Sequence, residues 1–312
     1  MGTGEIGLPV LRSLANASLV KLVAVVTQPD KPVGRSQLVA PPATKVVAMT
    51  FNLPVLQPQK VRRPDEVERI AGFSPDLIVV MAYGQILPKS LLEMPVLACL
   101  NLHASLLPRH RGAAPIQASI LEGDKLSGIT VMYMAEGLDS GDMLVARSIP
   151  IRRRETGGSL HDRLAGIGPE ILGSALDLVL QSRAPRTPQD ESQATYAPKL
   201  NRESGMIDWS RDCWYLDRLV RAMNPWPGAF TWVQHPDGSA RKLKVYNALP
   251  VHRISGRIGV VERAGNRGIV VACGAGGLLL KEVQIEGKRR LAAAEFVRGF
   301  PLEPGTSLGQ DL

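Results

Sequence analysis

Short apolar runs alternate with amphipathic stretches along the first half of the chain. The runs are rich in branched residues and end in polar or turn-forming ones, which is typical of buried strands. They occupy residues 21–26, 76–82, 97–104, 129–134 and 143–151. Apolar residues then recur at helical spacing from Leu160 to Leu178, which predicts a long helix. Strands that alternate with helices indicate an α/β fold with a doubly wound, mostly parallel sheet covered on both faces.

The pattern changes in the second half. A stretch with three prolines and many small polar residues predicts an extended linker over residues 185–204. A helix capped by Ser210 follows, and then four strand-like runs separated by Gly, Pro and Asp turns predict a small, OB-like β-barrel. We therefore expect a first domain at 1–184, the linker, and a C-terminal β-barrel domain at 205–312.

Composition narrows the class of protein. Hydrophobic residues make up 45% of the 312 positions and charged residues 21%, the balance of a folded domain. No apolar run approaches the roughly 18 residues that span a bilayer, and the N-terminus lacks a secretion signal, so we expect a cytoplasmic protein without membrane contact. The three cysteines are far apart and the five histidines form no ligand motif, so no metal site is expected. The G-x-G-x-x-G pattern at residues 2–7 follows no strand, which disfavours a nicotinamide cofactor.

The net charge of +8 is concentrated toward the C-terminus. Residues 205–312 carry 15 Lys and Arg against 10 Asp and Glu, whereas residues 1–184 carry 19 against 16. A basic domain fits a polyanionic partner such as a nucleic acid, but an excess of this size is equally typical of a solvated surface. Charge alone leaves the two interpretations open.

Candidate chemistry lies at the end of the third predicted strand. Asn101 and His103 are two residues apart and share one strand face, near the carboxyl end where α/β sheets bind ligands. A glycine-rich turn further on can bring Asp139 or Asp142 alongside. An amide or imidazolium can stabilise an oxyanion, an imidazole can move protons, and a carboxylate can orient it, which suits acyl transfer to a substrate amine. Taken singly, each residue is more often structural.

The segments NLHASLLPRHRGAAPIQ at 101–117 and GLDSGDM at 137–143 resemble the signature of the 10-formyltetrahydrofolate-dependent formyltransferase family. Matches in YAPKLNRESGMIDW, RLVRAMNPWPGAF and GKRRLAAAEFVRGFPLEPGTSLG extend the resemblance over almost the whole chain, including a C-terminal domain that simpler members lack. The resemblance implies a Rossmann-like catalytic domain and transfer of formyl from 10-formyltetrahydrofolate to the α-amino group of initiator methionyl-tRNA, for translation initiation. It implies no metal, and we expect a monomer.

The resemblance also implies roles for particular residues. Asn101, His103 and Asp139 correspond to the catalytic residues of the family. Lys31 and Arg35 lie in the part of the chain that corresponds to a loop reaching the tRNA acceptor end, and the C-terminal barrel is expected to help bind tRNA. The segments AYGQILP and SLLP correspond to the lining of the folate pocket. Their implied folate-binding residues are Gln85, Ile86, Leu87, Ser105, Leu106, Leu107 and Pro108.

Three features depart from the family pattern. Family members begin with a strand that leads into a Gly-Thr turn, whereas MGT opens this sequence, so we expect the first, central strand to be missing and its neighbours to be left unpaired. The loop after Arg35 reads SQLVAPP in place of lysines, which weakens the expected phosphate contacts. The run Arg152–Arg154 is unfamiliar, and a solvated loop is favoured over added phosphate contacts.

Two alternatives stay open at this stage. The same chemistry could act on a sugar amine or another small amine, although the basic C-terminal domain disfavours this. The chain could also bind tRNA without catalysis, although the intact set Asn101, His103 and Asp139 disfavours that.

Overall fold

A computed structural model describes residues 1–34, 37–235, 238–300 and 302–309. The chain forms two compact units. The first consists of Met1–Pro115, Leu126–Pro150 and His161–Pro198, and the second of Ile116–Lys125, Ile151–Leu160 and Lys199–Leu312. Residues 185–198 thus belong to the first unit, while the division at 184 and 204 stays a prediction.

The first unit is built on short strands and helices. Its strands are β1 (Val25–Val26), β2 (Lys31–Val33), β3 (Leu38–Ala40), β4 (Val55–Leu56), β5 (Leu77–Val80), β6 (Ala98–His103), β7 (Arg111–Gly112), β8 (Leu126–Tyr133), β9 (Met143–Pro150) and β10 (Tyr196–Ala197). Its helices are α1 (Leu8–Ala15), α2 (Ala43–Thr50), α3 (Pro64–Ala71) and α4 (Lys89–Leu92). Two more helices, α5 (Pro115–Leu121) and α6 (Gly157–Leu180), have residues in both units.

The first unit has the α/β architecture that the sequence predicts, with both parallel and antiparallel strand pairs. β1 pairs with β4 and β5 pairs with β6, both in parallel. The last two apolar runs of the sequence form an antiparallel hairpin, β8 and β9, which joins the sheet along β6. All six residues of β6 are buried because strands cover it on both edges and its side chains pack on both faces.

The sheet is interrupted between β1 and β5. Met1 and Gly2 bridge the two strands: Gly2 N donates to Val26 O at 3.0 Å, and Met81 N donates to Met1 O at 3.0 Å. The apolar run predicted as a strand over 21–26 forms one only at β1, because the remaining residues have no partner on that side. Within the described residues no strand fills this position, as expected from the departure from the family pattern.

A cavity of about 390 Å³ lies where that strand would run. It is bordered by the two unpaired strand edges and by residues of α1 and α6. Its lining includes Leu22, Val23, Ala24, Leu77, Ile78, Val79, Val10, Leu11, Leu176 and Val179. In a parallel ladder alternate residues direct both backbone groups to the same side. Because Val26 faces Gly2, the backbones of Ala24 and Leu22 face the cavity.

The second unit is an antiparallel β-structure with two helices. Its elements are α7 (Cys213–Ala222), β11 (Ala229–Gln234), β12 (Ala240–Val251), β13 (Val261–Gly265), β14 (Gly268–Ala272), β15 (Gly277–Ile285), β16 (Leu291–Ala292) and α8 (Ala293–Gly299). The strand order is β11-β12-β15-β14-β13, with β16 on β15. Leu308 bridges Val233 of β11, and Ser307 bridges Val260 beside β13, so one terminal stretch links both edges and closes the predicted barrel.

The start of α7 corrects one local prediction. Asp212, not Ser210, is the N-cap, and its carboxylate accepts hydrogen bonds from the amides of Trp214 and Tyr215, both at 2.9 Å. The Ser210 hydroxyl instead donates to Asp208. A carboxylate at the N-terminus also interacts favourably with the helix dipole, which a serine hydroxyl does less well.

Candidate active site

The candidate site is built on the carboxyl end of β6. Asn101 and His103 project from the same face of this strand, and the two residues are 8% and 6% exposed. Burial of two polar side chains is unfavourable unless each has a partner. Both find one in the loop that connects β8 to β9.

Asp139 is the residue of that loop that reaches the strand. Its carboxylate accepts a hydrogen bond from Asn101 Nδ2 at 3.4 Å and lies 3.6 Å from His103 Nδ1. The backbone amide of Gly112 donates to Asp139 Oδ2 at 2.8 Å. The structure therefore brings together the amide, the imidazole and the carboxylate that the sequence identified.

The path of this loop depends on unusual backbone positions. Asp139 has φ of +49°, in the left-handed region. At Gly141 a Cβ atom would lie 1.8 Å from Tyr133 O, so only glycine fits. The chain turns sharply enough there to place the Asp139 carboxylate under the end of β6.

The other ring nitrogen of His103 settles its tautomer. Nε2 lies 2.8 Å from the carbonyl oxygen of His110, which can only accept, so Nε2 carries a proton and donates. Nδ1, which faces the Asp139 carboxylate, is then the ring nitrogen that can accept a proton. The second N–H of the Asn101 amide extends the site as a donor for a developing oxyanion.

Asp142, the alternative carboxylate, lies in a different environment. Its Oδ2 is 3.8 Å from Arg186 Nη1, and its side chain is 37% exposed against 14% for Asp139. The Arg186 guanidinium in turn stacks over the Tyr133 ring at 3.7 Å. The geometry supports Asp139 as the carboxylate of the site and Asp142 as a surface partner of Arg186.

The two segments that the family resemblance assigns to folate binding contain both buried and exposed side chains. Gln85 ties two loops together: Oε1 accepts from Val61 N at 2.8 Å and Nε2 donates to Pro58 O at 3.1 Å. The Ser105 hydroxyl donates to Arg109 O, and the side chains of Leu87 and Leu107 are buried. Ile86, Leu106 and Pro108 are exposed or partly exposed. These three side chains are the ones available for apolar contact with a ligand. The side chains of Gln85, Leu87, Ser105 and Leu107 instead hold the backbone of the two segments in place.

A cavity of about 330 Å³ adjoins the first folate segment. Gln85 and Ile86 line it together with Lys31, Lys60 and Arg62, among others. Lys31 begins the hairpin β2–β3 and hydrogen-bonds Gln28. Arg35 lies outside the described residues.

The basic run 152–154 is partly structural. Arg154 donates to Asp217 at 2.6 Å and also to Asn247 and the Ala248 carbonyl, all within the second unit. Arg221 donates to the other Asp217 oxygen at 2.9 Å. Arg154 therefore has a structural role in the second unit, and no phosphate contact is needed to account for it.

Sequence reasoning missed an ion pair beside the site between the buried Arg111 and the exposed Glu191. Arg111 is 1% exposed and makes two hydrogen bonds to Glu191, and it also bonds Gln189. Hydrogen bonding to Arg111 lowers the pKa of the Glu191 carboxyl. In the sequence Arg111 is a single arginine shortly after the third predicted strand. Its partners Gln189 and Glu191 lie far along the chain, in the segment predicted as a linker, so no local pattern indicated the contact.

Other chemistries find little support in the described parts of the chain. No His, Cys, Asp and Glu side chains group in threes as a metal site would require. No helix there combines the length and apolar composition of a membrane crossing. The cysteines are buried as predicted, and burial raises the pKa of Cys99 to about 12 and of Cys273 to about 11, so neither thiol is poised as a nucleophile.

An α/β sheet whose strand end joins an amide, an imidazole and a carboxylate defines an enzyme of acyl transfer. The chain belongs to the formyl transferase family: the model described as Formyl transferase matches residues 1–176, and that described as Formyl transferase, C-terminal domain, matches residues 199–301. The prediction of a folate-dependent formyltransferase made from the sequence is thereby confirmed.

Relatives and solved structures agree with this assignment. The chain is 49% identical over 310 residues to a methionyl-tRNA formyltransferase of Geobacter sulfurreducens, which covers 99% of this chain and 96% of the relative. WlaRD, a sugar 3N-formyl transferase, superposes with a TM-score of 0.64 at 17% identity, covering 92% of this chain and 97% of that one. HypX from Aquifex aeolicus, in complex with tetrahydrofolic acid, superposes with a TM-score of 0.56 at 22% identity over 80% of this chain; the chain spans 43% of HypX. The two structures show the shared fold.

Proposed function

We propose that this chain transfers the formyl group of 10-formyltetrahydrofolate to the α-amino group of methionine esterified to initiator tRNA. The observation that carries the proposal is the Asp139 carboxylate held between Asn101 and His103 at the end of β6. The names of the relatives supply the acceptor, and the net charge of +8 suits a nucleic acid.

The reaction needs an oxyanion donor and a proton path. The acceptor nitrogen attacks the formyl carbon, a new C–N bond forms, and the bond to the folate nitrogen breaks. The Asn101 amide donates to the oxygen that becomes negative. The His103–Asp139 pair takes the proton from the attacking amine and returns it to the leaving nitrogen, so that no covalent enzyme intermediate is required.

We further propose that the segments at 85–87 and 105–108 bind the folate donor, and that Lys31 and Arg35 contact tRNA. In the same proposal residues 1–184 act as the catalytic domain and residues 205–312 as a tRNA-binding barrel. We expect a cytoplasmic monomer. The mass of the purified chain by light scattering tests the last point.

The decisive experiment offers the purified chain 10-formyltetrahydrofolate and initiator tRNA charged with methionine. We expect formyl-methionyl-tRNA, detected by mass spectrometry after nuclease digestion, and no product from uncharged tRNA. His103→Ala, purified in the same way, excludes a contaminating enzyme. Formylation of a nucleotide-linked amino sugar but not of the tRNA would contradict the proposal, and so would tight tRNA binding without any product.

A further inference from the structure

The predicted linker up to Pro198 belongs to the first unit, and it runs beside the loop between β8 and β9 that carries Asp139. Thr187 exchanges two backbone hydrogen bonds with Met143, of 2.8 and 3.0 Å, and β10 pairs in parallel with β7. Gln189 lies between these two anchored points. It is partly buried, whereas the residues on either side of it are exposed.

Every hydrogen-bonding position of the Gln189 amide is used. Nε2 donates to the carbonyl oxygens of Asp139 and Gly141, both at 2.8 Å. Oε1 accepts from Arg111 Nε at 3.1 Å and from Arg111 Nη2 at 2.9 Å. Turning the amide over would set donor against donor and acceptor against acceptor, so the side chain has one orientation.

Arg111 makes this contact rigid. Its guanidinium is almost fully buried and pairs with both oxygens of Glu191, at 2.9 and 2.7 Å. A buried charge that lost its partners would be strongly unfavourable, so the arginine stays in place. Gln189 is thus held on one side by a fixed cation.

The other side of Gln189 holds a backbone that needs support. Asp139 adopts φ of +49°, and a non-glycine residue persists there only where its surroundings hold it. Gln189 binds the carbonyls before and after Ser140, while Gly112 N binds the Asp139 carboxylate. Together the two contacts fix both the backbone and the side chain of Asp139.

We propose that Gln189 is a positioning residue for formyl transfer: it holds the 139–141 backbone so that the Asp139 carboxylate stays against His103 and Asn101. The proposal rests on the function proposed above. It assigns a role in catalysis to a segment that the sequence presents as a linker.

Gln189→Glu separates the two sides of the contact. The glutamate keeps the size and the acceptor toward Arg111, but it replaces the donor toward Asp139 and Gly141 with an oxygen. We expect kcat to fall roughly 10- to 100-fold, as small misplacements of a catalytic group do, with KM for 10-formyltetrahydrofolate within about 2-fold. Gln193→Glu is the matched control, since Gln193 is exposed and donates to Asp190 in the same segment.

A double-mutant cycle with Asp139→Asn distinguishes positioning from mere support of the fold. If Gln189 acts through Asp139, Q189E should cost less than about 2-fold in kcat once Asp139 is replaced. A structural role would lower the activity of both backgrounds by the same factor. If Q189E melts below the assay temperature, Gln189→Met serves in the cycle, because it adds no charge beside the two carbonyls.

The outcomes are distinct. Wild-type kcat in Q189E, or an equal loss in both backgrounds, overturns the role of Gln189. An inactive wild-type chain would instead refute the proposed function itself. A loss of kcat in Q189E that disappears in D139N, with Q193E unchanged, supports the proposal.

Discussion

His103 is the residue on which the proposed proton path depends, because Nε2 is bonded to the His110 carbonyl while Nδ1 faces the Asp139 carboxylate at 3.6 Å. Replacing His103 or Asn101 with Ala should lower kcat by roughly 100-fold or more, since each removes a group that acts in the transition state. Binding of folate and tRNA should persist, which equilibrium titration checks. His161→Ala is the control, because His161 is a partly exposed histidine of α6 paired with Asp162. A His103→Ala enzyme of near-normal turnover would remove the histidine from the mechanism.

Asp139 and Asp142 give a second test at this scale. Asp139→Asn should cost at least about 10-fold more in kcat than Asp142→Asn, because only Asp139 contacts Asn101 and His103. Asp142 forms one long, partly exposed contact with Arg186, and such pairs contribute little. Steady-state kinetics on both variants, with melting temperatures to confirm folding, decide the matter. The reverse order would transfer the role to Asp142.

The sequence could predict Asn101 and His103 because strand alternation alone places them on one face. It could not choose between Asp139 and Asp142, since that depends on the φ of one residue and on the close approach of Gly141 to Tyr133. Gln189 and Arg111 escaped notice because 78 positions separate them and because glutamine in a proline-containing stretch is typical of a linker.

At the scale of elements, strand positions followed from apolar runs, whereas their pairing did not. Residues 21–26 form the expected run, yet only β1 becomes a strand, because a ladder needs a neighbour on the correct side. The absence of that neighbour was visible only through the resemblance to a family. The capping of α7 by Asp212 was missed because Ser210 and Asp212 both suit an N-cap, and local pattern does not separate them.

The cavity beside β1 leads to a prediction of stability. Fusing five alternating Val and Ile residues ahead of Met1 should fill it with a parallel strand that continues the ladder begun by Met1 and Gly2. Burial of five aliphatic side chains should contribute about 2 kcal/mol each, and ordering the added chain should cost about 1.5 kcal/mol per residue. The free energy of unfolding should therefore rise by about 2–3 kcal/mol. That corresponds to a rise in Tm of roughly 5–10 °C.

A Gly-Ser extension of the same length is the matched control for this variant, because it adds chain without apolar side chains. Calorimetry on the two extended proteins and the parent measures the difference. Equal melting temperatures for the two extensions would show that the cavity does not accept a strand.

At the scale of the whole molecule, the positive excess is modest, +8 over 312 residues, so the proposed binding of tRNA should depend on a few individual cations. Arg35 is the residue that the family resemblance singles out, and it lacks the lysine neighbours usual there. Each phosphate contact releases counterions, so its loss should flatten the plot of log affinity against log salt by about 0.9 for duplex RNA regions. Arg35→Ala should therefore weaken tRNA binding, reduce the salt slope by about one contact, and leave KM for the folate donor nearly unchanged.

Arg12→Ala, which removes an exposed arginine from α1, is the control and should reproduce the parent curve. Binding isotherms between 50 and 200 mM salt, the range in which such contacts dominate, give the slopes. If the curves of Arg35→Ala and the parent superimpose, Arg35 makes no phosphate contact, and Lys31 followed by the basic second unit become the cations to replace next.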